Sequence, residues 1–294
     1  MLFTDITIED RDVMGKYLLC DGAVMSDRCF ASLFIWGEHY KLKKCIKDGF
    51  LYILSENEGS RLYHMPAGFG NMTDALAEIE KDAGERDYSV ILITEKEKDK
   101  IAATGRYEIT EDRANFDYIY NAEDLISLPG KKYHSKRNFI NRFLKEYEGR
   151  WSYKDVSPES DGDEILHFLR EWCEKKHDET DDYDYEYSAI HRALSYFREL
   201  GMRGGILKVD GKFAAFTMAA KQGEEVADIL IEKADPDIQG SYQMINNLFA
   251  SLNCRDCVYI NREEDLGIEG LRTAKLSYHP VALTPKYTAV PIRK

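Results

Sequence analysis

The stretch that decides the fold is Gly205-Ile206-Leu207-Lys208-Val209-Asp210-Gly211-Lys212-Phe213-Ala214-Ala215-Phe216-Thr217-Met218-Ala219-Ala220. Two apolar runs meet at Asp210-Gly211, a pair that adopts the left-handed conformations a two-residue hairpin requires. Val226 to Lys233 reads as a third strand, Tyr242 to Leu252 has helical apolar spacing, and Val258 to Asn261 is another short strand. A strand reached through a helix pairs parallel, because the crossover returns the chain to its starting side. Upstream, Glu164 to Lys176 and Ser188 to Leu200 are helical, the second ended by Gly201. Downstream lie a short helix, Glu269 to Lys275, and a closing strand region, Val281 to Val290.

The first part of the chain has the same order. Ile8 to Cys20 and Asp27 to Trp36 read as helices, with Ser26 the N-cap of the second. Tyr40 to Ile46, Phe50 to Ser55 and Arg61 to Met65 are strand-like, separated by Lys47-Asp48-Gly49 and Asn57-Glu58-Gly59. Helix Met72 to Lys81, strand Ser89 to Ile93, helix Lys96 to Ala103, and strands Tyr107 to Thr110 and Phe116 to Tyr120 complete it. The repeat is of topology, not of sequence. It predicts an α/β (α+β) chain with domains at 1–127 and 164–294. Residues 128–163 connect them and carry a basic helix from about His134 to Tyr147.

At 294 residues the chain has room for two ordinary domains, and its 44% apolar content is that of a globular protein. No run approaches the ~20 apolar residues of a membrane span. Met1 to Asp12 is acidic and lacks an apolar core, so it does not read as a signal peptide, and a cytoplasmic location without membrane insertion is expected. Cys20, Cys29, Cys45 and Cys173 sit in apolar patterns. Cys254 and Cys257 form a C-x-x-C without a second pair of ligands, so no metal site is expected.

The net charge of −13 excludes a general nucleic-acid or anionic-membrane surface. The charge is segregated. Pro129 to Lys145 holds Lys131, Lys132, Lys136, Arg137, Arg142 and Lys145 with no acid, whereas Asp178 to Glu186 holds Asp178, Glu179, Asp181, Asp182, Asp184 and Glu186 with no base.

Three antiparallel strands, a helix and a parallel strand resemble the GNAT-type N-acyltransferase order, so the chain reads as tandem GNAT-like domains. In that fold the acyl donor lies where the next helix begins, since a helix N-terminus offers unpaired N–H groups to phosphate or an oxyanion. Two segments fall there. Pro66-Ala67-Gly68-Phe69-Gly70 matches the GNAT phosphate loop at Gly68 and Gly70, but Met65 replaces the opening Gln or Arg. Pro236-Asp237-Ile238-Gln239-Gly240-Ser241 matches it at Gly240 alone.

Two further segments are distinctive. Asn261-Arg262-Glu263-Glu264-Asp265-Leu266-Gly267-Ile268-Glu269-Gly270-Leu271-Arg272-Thr273-Ala274-Lys275-Leu276-Ser277-Tyr278-His279-Pro280 resembles the closing motif of a bacterial family grouped with the C-terminal domain of phosphatidylglycerol lysyltransferases. Leu128-Pro129-Gly130-Lys131-Lys132-Tyr133-His134-Ser135-Lys136-Arg137-Asn138-Phe139 is similar to that family's central basic motif. The resemblance implies a tandem GNAT fold related to the Fem-type aminoacyltransferases, which move an amino acid from tRNA to an amine or hydroxyl. The membrane-embedded half of the full lysyltransferases has no counterpart in this sequence.

The residues divide into candidate roles. Lys132, Lys136 and Arg137 lie near one side of the basic helix and suit a phosphate-bearing ligand; the alternative is a solvated helix paired with neighbouring acids. Asp181, Asp182, Asp184 and Tyr185 could hold a cationic amine acceptor by charge and cation–π contact, or be a solvated loop. On the third strand Asp228 and Glu232 share a face by period two, about 13 Å apart. Glu232, nearer the loop, is the candidate general base and Tyr242 the candidate proton donor. In the closing motif Asn261, Glu263, Asp265, Arg272 and Lys275 are too polar for a plain strand-to-helix crossing. Arg272 and Lys275 share a helical face and either bind an anion or cage Glu263 and Asp265.

The reading is an acyltransferase, with aminoacyl-tRNA or acyl-CoA as co-substrate, no resident cofactor, and an amine or hydroxyl acceptor. The alternative is a non-catalytic protein that binds a small ligand or partner on a degenerate GNAT fold.

Overall fold

The computed structural model describes residues 1–20, 22–57, 59–176 and 182–292. In chain order the elements begin β1 (Thr4–Asp5), α1 (Arg11–Leu18), α2 (Phe30–Trp36), β2 (Lys43–Lys47), β3 (Phe50–Asn57), β4 (Ser60–His64) and β5 (Ala67–Gly68). Next come α3 (Met72–Ala83), β6 (Tyr88–Ile93), α4 (Glu95–Ala102), β7 (Tyr107–Glu111), β8 (Asp117–Asn121), α5 (Ala122–Ser127), α6 (His134–Glu146) and β9 (Trp151–Asp155). Then follow α7 (Pro158–Lys176), α8 (Asp182–Ser195), β10 (Arg203–Val209), β11 (Lys212–Gln222), β12 (Val226–Ala234) and α9 (Ser241–Asn253). The chain closes with β13 (Tyr259–Asn261), α10 (Glu269–Leu276), β14 (Ala282–Thr284) and β15 (Tyr287–Pro291).

These elements form two mixed, mostly antiparallel sheets with helices, a tandem GNAT-like architecture. One is 8-stranded, in order β1-β2-β3-β4-β6-β15-β7 with β5 added to β3; the other is 7-stranded, in order β14-β8-β13-β12-β11-β10-β9. Each contains one parallel pair reached through a helix: β4 with β6, and β12 with β13. The hairpins turn as their sequences demand. Asp210 (φ 51°) and Gly211 (φ 78°) join β10 to β11, and Asp48 (φ 49°) and Gly49 (φ 80°) join β2 to β3, both central residues left-handed in each.

Two compact units result. Unit 1 comprises Met1–Asp117, Glu264–Arg272 and Leu283–Lys294; unit 2 comprises Tyr118–Glu263 and Thr273–Ala282. These bounds differ from the linear division expected at 1–127, 128–163 and 164–294. The basic helix α6 is built into unit 2, where buried Phe143 packs with Leu207, Ala234 and Ile245. The last strand of each expected half is exchanged. β8 pairs with β13 in the second sheet, and β15 inserts between β6 and β7 in the first, placing Tyr287 and Ala289 in the core with Tyr63, Ile79 and Val90. Alternating polarity reveals that a segment is a strand but not which neighbour it will choose.

Other elements differ in extent. α7 begins at Pro158, where Ser157 accepts Ser160 and Asp161 N–H groups at its carbonyl, rather than at Glu164. α8 begins at Asp182 rather than Ser188. Ser26 does not cap a helix: a 3₁₀ turn covers Ser26–Arg28, and the Ser26 hydroxyl donates to Asp117 instead. Strands β1, β5 and β9 and helix α5 are additional to the sequence reading. No helix among the described residues is long and apolar enough to cross a membrane.

Candidate functional site

Unit 2 gathers its charged groups at the C-terminal ends of the parallel pair β12 and β13. Opposite Met218 and Ala219 the β12 ladder skips Leu230, a bulge that breaks the period-two count between Asp228 and Glu232. The two carboxylates therefore do not share one uninterrupted face, contrary to the alternation read from sequence. Asp228 is fully buried, whereas Glu232 keeps a small exposure of 12%. β13 ends at Asn261, whose buried carboxamide accepts the Glu263 N–H at 2.8 Å. This local turn holds Glu263 in the left-handed region (φ 55°) and brings Arg262 off the strand end.

Arg262 donates to Glu232 at 2.6 Å, and Asn246 from α9 donates to the other carboxylate oxygen at 3.2 Å. The guanidinium carbon lies 4.9 Å from the centre of the Tyr278 ring, and Tyr120 meets the same ring edge-on at 6.5 Å. Burial opposes the Arg262 charge, but Glu232 and the two phenol groups outweigh it and hold the group above the usual arginine range. Burial also raises Tyr120 and Tyr278, which stay neutral.

Lys136 reaches the same ring from α6. Its Nζ stands 3.9 Å from the Tyr278 ring centre and donates to Ser277 Oγ at 2.6 Å. Burial, and then repulsion from Arg262, lower its ammonium to about 8. The backbone is tied down around these side chains: Tyr133 donates to the Tyr278 carbonyl at 2.9 Å and Tyr120 to the Lys275 carbonyl at 2.8 Å. The result is a partly solvated carboxylate, a fixed cation and a lysine near its neutral point around one aromatic ring. Such a set can neutralise an anion or developing oxyanion and exchange a proton near neutral pH.

The remaining sequence candidates have other surroundings. Lys132 pairs with Asp124 at 3.3 Å, and Arg137 donates to the Leu128 and Gly130 carbonyls, so these two brace the turn before α6. Tyr242, beside Trp172 at the start of α9, is raised by burial. Gly240 (φ 87°) lies against α6: an added Cβ would stand 2.9 Å from the Phe139 carbonyl oxygen and 3.2 Å from Phe143 Cβ. In unit 1, a Cβ at Gly68 would meet the Gly49 carbonyl oxygen at 2.3 Å, and one at Gly70 would meet the Phe50 ring at 2.5 Å. Close packing to their own chain accounts for all three glycines.

Asp265, fully buried in unit 1, accepts a two-bond clamp from Arg272 at 2.8 and 2.9 Å and a further bond from Arg113 at 3.1 Å. Lys275, in unit 2, donates to the Arg262 carbonyl at 2.5 Å. Of the acidic segment, Asp181 lies outside the described residues and Asp182 opens α8; Asp184 and Tyr185 are exposed on that helix. Its neighbour Glu186 pairs with Lys233 at 2.6 Å. Among the sequence candidates, Glu232 and Lys136 thus share one site. Arg262, Asn246, Ser277 and Tyr278 join them without having been singled out. The polar Asn-Arg pair directly after a buried strand was the available signal for Arg262.

Unit 1 contains a second charged cluster, beside a cavity lined by Asp27, Arg28, Leu51, His64, Met65 and Leu92. Lys286 joins Asp117 at 2.8 Å and Asp27 at 2.5 Å. Burial lowers the His64 imidazole to about 4, with Arg28 and Lys286 adding to the effect and Asp27 opposing it.

Comparison with known proteins agrees with this architecture. A conserved protein of unknown function from Bacteroides thetaiotaomicron is 37% identical, with a TM-score of 0.93 over 99% of both chains. The C-terminal domain of a putative lysylphosphatidylglycerol synthetase from Agrobacterium fabrum is 13% identical, with a TM-score of 0.67 over 97% of this chain and 92% of that one. A tandem GNAT protein from the clavulanic acid biosynthesis pathway shares the fold at a TM-score of 0.54 and 10% identity, over 100% of this chain and 99% of that one. An uncharacterised protein of Mycoplasmoides gallisepticum is 26% identical over 186 residues, 61% of this chain, and the match spans 56% of that relative's length. Residues 23–290 match the family described as phosphatidylglycerol lysyltransferase, C-terminal, and the chain belongs to that family.

Proposed function

We propose that the chain is an aminoacyltransferase that takes an aminoacyl group from an aminoacyl-tRNA ester and passes it to an amine or hydroxyl, using the unit 2 site. The observation that carries this is the gathering of Lys136, Arg262 and Glu232 around Tyr278 at the ends of a parallel strand pair. Binding would align donor and acceptor, Arg262 would neutralise charge on the donor's phosphate or oxyanion, and a neutral Lys136 would accept the acceptor's proton. Glu232, already holding Arg262 and Asn246, serves better to orient Arg262 than as the general base the sequence suggested.

The packing around the glycines favours this donor over acyl-CoA. At Gly240 the start of α9 is covered by Phe139 and Phe143 of α6, where a coenzyme pyrophosphate would need open N–H groups. At Gly68 the loop is hydrogen-bonded to β3 as β5. The test is filter retention of labelled aminoacyl-tRNAs beside labelled acyl-CoAs. Retention of an aminoacyl-tRNA that weakens with added salt supports the reading. Retention of acyl-CoA instead, or of neither donor at high micromolar protein, ends it.

A further inference from the structure

We propose that Ser277 and Lys136 form a serine–lysine dyad, with Ser277 Oγ accepting the acyl group to give a covalent intermediate before the acceptor attacks. The inference takes the acyl-transfer reading as its premise for what is attacked, and adds a nucleophile to it.

The geometry assigns the roles. Ser277 follows the last turn of α10, where its N–H is fixed on the Thr273 carbonyl and the next N–H on Lys275. Its side chain lies at a half-buried position, so Oγ is within reach of a ligand. Lys136 is buried and comes from a different helix, 141 residues away in sequence, yet its Nζ stands 2.6 Å from that oxygen. Buried Lys286 answers its charge with the carboxylates of Asp27 and Asp117, whereas the contacts that position Lys136 are a hydroxyl and the face of Tyr278. The charge that acts on it most is the repelling cation Arg262. An amine so placed gives up its proton readily, and a serine hydroxyl in a hydrogen bond with a neutral amine is an activated nucleophile.

The step balances within the site. The neutral Lys136 amine takes the Ser277 hydroxyl proton while Oγ bonds to the carbonyl carbon of the donor ester. The bond from that carbon to the donor's leaving oxygen then breaks, and the oxygen receives the proton from Lys136. An amine or hydroxyl acceptor next attacks the Ser277 ester. The Oγ–carbon bond breaks, Oγ regains a proton through Lys136, and the free enzyme is restored. Arg262, over the same ring, is the fixed cation available to the developing oxyanion.

A fluorophosphonate probe tests the dyad without any donor. Mass spectrometry of the digested wild-type protein should place the adduct on Ser277, and S277A should abolish it. K136M preserves packing on Tyr278 but removes the base, and should slow labelling by about 100-fold or more while the circular dichroism melt stays cooperative. K136R, which keeps a cation that cannot act as a base, should be as slow. The wild-type rate should rise with pH to a plateau with a midpoint at about 8, the range of Lys136 facing Arg262, Tyr278 and Ser277. Absence of an adduct on Ser277 in the folded protein, or labelling of K136M at the wild-type rate, overturns the proposal. The two readings separate cleanly: aminoacyl-tRNA retention without labelling removes only the dyad, and labelling without donor retention removes only the choice of donor.

Discussion

Lys286→Met is the most severe single change the structure identifies in unit 1. The Lys286 side chain is 2% exposed and joins the fully buried Asp117 and the partly buried Asp27, while Ser26 contributes two further bonds to Asp117. Methionine fills the same length of chain but leaves those carboxylates without their cation. Breaking a buried pair on one side costs about 3–5 kcal/mol, and Asp27, still partly solvated, adds little to the upper figure. At a urea dependence of about 2 kcal/mol per molar, the unit 1 midpoint should fall by about 2 M. Trp36 reports on this unit when Trp151 and Trp172 of unit 2 are replaced by Phe. The sign with pH follows from the shifts. Lys286 is raised above its ordinary 10.5, so its contribution is fully present below that value and lost as pH climbs through the folded pKa. Asp27 is lowered, although burial works against it, by Lys286, so its share is present above the ordinary 3.8 and lost in acid. The deficit of the variant should therefore be flat from pH 6 to 9 and shrink below pH 4. Adding Asp117→Asn should recover part of the loss, since the stranded charge is then removed. A loss under about 1 kcal/mol, or a double variant worse than the sum of its parts, would refute this account of the cluster.

Two smaller predictions accompany it. His64 is lowered from 6.5 to about 4, so the unfolded chain takes up a proton that the folded chain refuses, and stability is lost as pH falls through that window. Up to about 3 kcal/mol follows from a shift of that size; His64→Gln should flatten this part of a urea-midpoint series between pH 7 and 4, and an unchanged slope would count against it. Gly240→Ala combines a left-handed backbone with the approach to Phe139 and should cost about 1–3 kcal/mol in a thermal melt. Gly130→Ala, also at positive φ but with open space around its Cβ, should cost less, and equal costs would deny the contact with α6.

The fold was most legible where local chemistry decides it. Asp210-Gly211 and Asp48-Gly49 form the expected hairpin turns, and the three-strand, helix, parallel-strand order appears in both units. What escaped depended on distant partners. The exchange of β8 and β15, the bulge at Leu230 and the meeting of Lys136 with Ser277 are all pairings between segments whose own patterns are indifferent to the choice. The charge segregation on α6 was visible, but its division of labour was not. Lys132 and Arg137 satisfy a nearby carboxylate and two carbonyls, and Lys136 alone of those three reaches the ring of Tyr278.

The insertion of β15 between β6 and β7 sets the order in which a nascent chain can finish. Unit 2 needs nothing beyond Ala282, whereas the sheet of unit 1 has a missing rung until Tyr287–Pro291 emerges. The roughly 170 residues after Asp117, made at about 5–20 per second, keep β6 and β7 unjoined for about 10–30 s. During that interval two strands present bare N–H and C=O groups, each a template for an intruding chain. The part of the protein synthesised first is thus the part completed last, and its yield depends on how well those edges are shielded while the ribosome is still at work.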